Sequence, residues 1–141
     1  MGDTDRAVAE CDRALNVSSR CVEAFCCRGH VYLNRDRYAE AVADFTRALA
    51  IDKSRDDALS MRGSAYCGLR EWDLALADCD AAFKIRSGDN DINFIRGVAL
   101  YGANRRTEAA ASFKTYLERD PAGHDKWHTI ARKRLRELSR D

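Results

Sequence analysis

Two pairs of side chains are spaced for chemistry. Cys26 and His30, and likewise His124 and His128, stand four residues apart, which on a helix places both members on one face. A thiol beside an imidazole, or two imidazoles together, could begin a nucleophile–base pair or a metal site. Neither pair is completed. Structural zinc takes four ligands, and His124-Asp125-Lys126-Trp127-His128 lacks the glutamate of a metalloprotease helix. Cys26 and His30 have no third group to orient the base, and the chain carries no glycine-rich phosphate loop or nucleophile elbow. The sequence therefore predicts no catalytic residues, no metal, no cofactor and no enzyme.

A third set of residues has a longer period. Glu23, Asp57 and Asp91 recur 34 residues apart. A row of carboxylates can accept charge-assisted hydrogen bonds from Lys or Arg side chains of a partner. Acids in first helical turns also complement the helix dipole, which would account for Asp56 and Asp89 as well. The sequence leaves both readings open.

Helices must position these residues. One proline and eight glycines in 141 residues, with abundant Ala, Leu, Arg, Asp and Glu, suit an all-α chain of one domain. Lys and Arg number 24 against 23 acids, so a net charge of +1 gives no drive toward nucleic acid. No run reaches the ~18 apolar residues of a spanning helix, and Met1-Gly2-Asp3-Thr4-Asp5-Arg6 lacks the apolar core of a signal peptide. Cys11, Cys21, Cys26, Cys27, Cys67 and Cys79 fall within helical patterns that already supply a core, and are expected as reduced thiols in a cytoplasmic protein.

The 34-residue period runs through the chain. It relates Arg28-Gly29, Arg62-Gly63 and Arg96-Gly97; Ala7, Ala41, Ala75 and Ala109; Leu15, Leu49, Phe83 and Leu117; and Val17, Ile51 and Ile85. Within each period, two stretches of helical spacing flank a short polar turn, such as Asn34-Arg35-Asp36-Arg37, so each unit is a helical hairpin. Glycine inside a helix costs about 1 kcal/mol relative to alanine, so its recurrence asks for a packing reason. Close approach of Gly29 to Ala41, Gly63 to Ala75 and Gly97 to Ala109, flanked by Tyr32, Tyr66, Phe45 and Phe113, supplies one.

The segment Arg28-Gly29-x-x-Tyr32, followed by Ala41, Phe45 and Ala48, resembles the tetratricopeptide repeat. That resemblance implies a right-handed superhelical array of antiparallel helical hairpins, an α-solenoid, with repeats at 22–55, 56–89 and 90–123. Residues 4–21 match only a second helix and form a half repeat, which reads either as a fragment of a longer array or as an N-terminal cap. Trp127, Ile130, Ala131, Leu135 and Leu138 form one apolar stripe of a C-terminal capping helix within 124–141. Its basic face reads as solvated, or as a contact for an acidic partner or membrane surface. Departures from the pattern include Cys79 in place of the large aromatic, Tyr116 in place of the small residue and Leu100 in place of the tyrosine.

The resemblance also implies a concave groove lined by the first helix of each repeat. The matching positions are Glu23, Cys26, His30, Leu33 and Asn34; Asp57, Ser60, Ser64 and Cys67; and Asp91, Phe94, Val98 and Tyr101. An extended peptide, with a basic residue against the acids and buried area on Phe94 and Tyr101, would fit that lining. The family's best-known ligand is the acidic tail of heat-shock chaperones, which needs Lys, Asn and Arg where this chain has Cys26 and His30, Cys27 or Met61, and Asp91 and Ile95. The expected function is a protein-binding adaptor for a partner protein or peptide, with no nucleic acid and no membrane span. The alternative is structural self-association, giving a homo-oligomer through the open repeat ends.

Overall fold

A computed structural model describes residues 2–140. Among the described residues the chain forms eight helices and no strand: α1 (Asp3–Val17), α2 (Val22–Asn34), α3 (Tyr38–Ile51), α4 (Asp56–Gly68), α5 (Trp72–Ile85), α6 (Asn90–Gly102), α7 (Arg106–Arg119) and α8 (Lys126–Leu138). Helices adjacent in sequence pack together, most extensively α2 with α3, α4 with α5 and α6 with α7. Each hairpin stacks on the next through α3 on α4 and α5 on α6, while α1 lies on α2 and α8 on α7. The architecture is an α-solenoid of antiparallel hairpins, with no helix long and apolar enough to cross a membrane among the described residues.

The polar turns inside the hairpins share one geometry. Asp36, Arg70 and Asn104 have φ of 57°, 62° and 60°, the left-handed conformation that ends a helix. Around them the N–H of Asp36 donates to Leu33 O and that of Arg37 to Tyr32 O, with the same pair of bonds at Arg70 and Glu71 and at Asn104 and Arg105. These are Schellman turns, which satisfy the carbonyls a helix end would orphan. Asp and Asn tolerate that conformation, but Arg70 adopts it at a steric cost.

Closure of the hairpins depends on the repeated glycines. A Cβ on Gly29 would sit 3.0 Å from the Phe45 ring, and one on Gly97 2.7 Å from the Phe113 ring. On Gly63 it would meet Ala75 O at 3.4 Å and Cys79 Sγ at 3.6 Å, ordinary contacts, because Cys79 has replaced the aromatic. Phe45, Cys79 and Phe113 are all buried in the core that runs through the hairpins.

The arginine before each glycine ties helices together. Arg28 Nε and Nη2 donate to both carboxylate oxygens of buried Asp44 at 2.7 and 2.8 Å, and Arg28 Nη1 reaches Asp12 on α1 at 2.7 Å. Arg62 holds Asp78 in the same bidentate manner and reaches back to Thr46. Such forked, charge-assisted bonds are what allow a carboxylate to be buried.

Candidate functional site

The first helices α2, α4 and α6 present their concave face to a cavity of about 740 Å³, which α8 closes at the C-terminal end. That volume is in the range of sites that enclose a small ligand or several side chains of a peptide. Met61, Ile95, Val98 and Ile130 give it an apolar floor, and Asn34, Arg70, Asp91 and Lys126 stand among its polar residues.

Two aromatic rings from the second helices also line it. Tyr38 and Trp72 open α3 and α5, and they lie against the ends of α4 and α6, where a Cβ on Gly68 or Gly102 would fall 2.5 Å from the ring. Glycine at those two positions is what gives the rings their place. Tyr38 Oη donates to Asp36 Oδ1 at 2.7 Å, which fixes the ring over the turn and raises the phenol's pKa.

Of the residues expected from the repeat register, His30, Leu33, Asn34, Ser64, Cys67, Asp91, Phe94, Val98 and Tyr101 come together around this cavity. Ser60 does not: it is 2% exposed, and its hydroxyl donates to Asp57 O. Cys26 is half-buried against the core, and its burial pushes the thiol up to about 11.

Glu23 and Asp57 also lie away from the cavity, and Arg55 accounts for both. Its guanidinium donates to Asp57 from Nε and Nη2 at 2.9 and 2.8 Å and to Glu23 from Nη1 at 3.1 Å. Those hydrogen bonds hold the Asp57 carboxyl below its ordinary value. Asp91 is different. It has no ion-pair partner among the described residues, and burial, followed by the charges of Asp89 and Asp125, raises its carboxyl. Arg55 thus engages two acids of the row, and Asp91 is the one of the three that lines the cavity.

The expected aromatic floor is engaged by α8. Phe94, 6% exposed, stacks on Trp127 with ring centroids 4.6 Å apart and planes 6° apart. Tyr101 Oη donates to Glu137 Oε2 at 3.0 Å, and Arg134 lies over its ring at 4.4 Å. Both residues shape the cavity through α8 and offer less free ring face than an open groove would.

His124 and His128 do not form a pair. His124 is exposed. His128 is buried, with Nδ1 on Asp125 Oδ1 and Tyr116 Oη and Nε2 on Asp120 O, so both ring nitrogens serve to seat α8 on α7.

This site, a concave face built by stacked helical hairpins and bordered by α8, defines a helical-repeat protein. The chain belongs to the tetratricopeptide repeat family: models described as tetratricopeptide repeat match residues 22–54 and 60–124. It is similar to the crystal structure of YrrB, a TPR protein described as having an unusual peptide-binding site, at 29% identity and a TM-score of 0.73, over 98% of this chain and 73% of that one. The Arabidopsis OM64 TPR domain is 27% identical with a TM-score of 0.73, covering 82% of this chain and 94% of that one. The first TPR domain of human RPAP3, at 24% identity and a TM-score of 0.74 over 84% and 89% of the two chains, shares the fold. No curated protein matches the chain by sequence.

Proposed function

We propose that this chain is a protein-interaction module of the cytoplasm, without turnover or cofactor, that holds an extended segment of a partner protein in its concave cavity. The proposed units are the repeats at 22–55, 56–89 and 90–123, preceded by the half repeat at 4–21 and closed by the cap at 124–141. The observation that carries this reading is the cavity itself, where apolar Met61, Ile95 and Val98 lie beside Tyr38 and Trp72 and within reach of polar groups. Apolar side chains of a peptide would find buried area there, while the polar groups would fix its direction. The peptide-binding site named for YrrB supports the same assignment. A basic peptide side chain would be received at Asp91, since Arg55 already holds Glu23 and Asp57.

Selection of peptides from a random displayed library, followed by affinity measurement on Val98→Glu, tests the proposal. A charge on the cavity floor should reduce affinity at least about tenfold while the thermal midpoint stays within a few degrees. Peptides that bind both proteins equally would rule out the cavity as the site.

A further inference from the structure

The α1–α2 junction has a feature that peptide binding does not use. We infer that Cys11 and Cys27 form a peroxide-sensitive thiol pair that closes into a disulfide clamping α1 onto α2.

The juxtaposition follows from the register between each second helix and the first helix after it. Residues 16 apart meet there: Asp12 and Arg28 at 2.7 Å, Thr46 and Arg62 at 3.1 Å, and Asp80 and Arg96 at 3.2 Å. Stepping back one residue in each pair gives Cys11 and Cys27, Phe45 and Met61, and Cys79 and Ile95. Phe45, Met61, Cys79 and Ile95 lie in the core or pack against it. At the α1–α2 junction the corresponding positions are both cysteines, and the Cys27 thiol lies near enough to act on Cys11. The Asp12–Arg28 bond, one residue along on each helix, keeps them in register.

The two thiols are not equivalent. Cys11 is 5% exposed, whereas Cys27 lies on the surface. Burial, and then the neighbouring Cys27 thiol, push Cys11 up to about 12, so it stays protonated and shielded. Hydrogen peroxide therefore meets Cys27. Its thiol gives up a proton and the sulfur takes one peroxide oxygen; the O–O bond breaks, and the other oxygen leaves as hydroxide that takes up that proton to become water, giving a sulfenic acid. The Cys11 sulfur, losing its proton, then attacks the Cys27 sulfur; the S–S bond forms, the S–O bond breaks, and a second water departs. Two thiols have lost two electrons and two protons, and one peroxide has become two waters. Cys26, the neighbour in sequence, is set apart on the side facing Arg55 and Asp57.

The test treats the whole folded chain, reduced and desalted, with hydrogen peroxide, then alkylates it and measures mass. The expected product is lighter by about 2 Da before alkylation, has lost two of its six titratable thiols, and yields a tryptic cross-link between residues 7–13 and 21–28 through Cys27. Cys27→Ser, at an exposed position, should keep the fold and abolish the cross-link; Cys26→Ser should keep both. The inference is overturned by oxygen addition without a cross-link, by a bridge from Cys11 to Cys21 or Cys26, or by a disulfide-linked dimer through Cys27 as the main product.

Discussion

The first two hairpins and the third use one backbone register but hold it in different ways. In the first, Arg28 grips Asp44, which is 1% exposed and also accepts from Arg47 at 2.9 Å; in the second, Arg62 grips Asp78. Arg96 stands at the same place in the third, but the residue sixteen further on is Ser112, and among the described residues the arginine's ion pair is with the exposed Asp80 at 3.2 Å. The third hairpin closes instead with aromatic volume. Phe94, Phe113 and Tyr116 cluster there with Trp127, where the middle hairpin has Ser60, Cys79 and Ala82 at the corresponding positions. A periodic residue therefore stabilises a repeat only as far as its partner is periodic too.

The largest effect should separate the arginines. Arg28→Ala leaves the Asp44 carboxylate buried with only Arg47 to hold it, and should cost about 3–5 kcal/mol in urea unfolding. Arg96→Ala breaks an exposed pair and should cost less than about 1 kcal/mol. Equal losses would mean that the ionic staple is not what distinguishes the hairpins.

The glycines sharpen the same contrast. Gly97→Ala drives a methyl into the Phe113 ring, which has no exposed surface into which to move, and should destabilise by about 1–3 kcal/mol. Gly63→Ala meets only ordinary contacts beside Cys79 and gains up to about 1 kcal/mol of helix propensity. If thermal unfolding placed both changes on the same side of the wild type, the volume argument would fail. Smaller again is Arg70→Gly, which relieves a left-handed arginine and should stabilise by about 1 kcal/mol, whereas Asp36→Gly and Asn104→Gly should do less.

The fold was legible because every hairpin repeats the glycine, the small residues and the polar turn. Part of the missed site was equally periodic: Gly68 and Gly102, Tyr38 and Trp72, and Asp44 and Asp78 all recur at 34 residues, and aligning the second helices as closely as the first would have exposed them. Arg55 was hidden, since Cys21 and Asp89 occupy its equivalent positions and nothing periodic marks it as the residue that holds Glu23 and Asp57. The share of α8 was hidden for another reason. Trp127 and Arg134 reach the cavity through the seating of α8 on α7, a tertiary contact outside the repeat.

The smallest predicted effect concerns Asp91, the acid of the row that Arg55 does not hold. Burial, and then Asp89 and Asp125, raise its carboxyl, so the folded chain keeps that proton more tightly than the unfolded chain. Below the ordinary carboxylate range both states are protonated and folding carries no penalty. As pH rises, the unfolded chain ionises first; the penalty grows until the folded carboxyl has ionised as well, and it is complete at neutral pH. Asp91→Asn should therefore stabilise the chain at neutral pH, by less than about 1 kcal/mol because water reaches the group, and by nothing near pH 3. Asp57→Asn should behave oppositely, since Arg55 lowers that carboxyl and the stability it contributes is present at neutral pH and lost on acidification. Unfolding curves at both pH values separate the two acids. Loss of stability at neutral pH in Asp91→Asn would show that this carboxylate is held by a partner after all, and would remove the free acid on which reception of a basic peptide side chain depends.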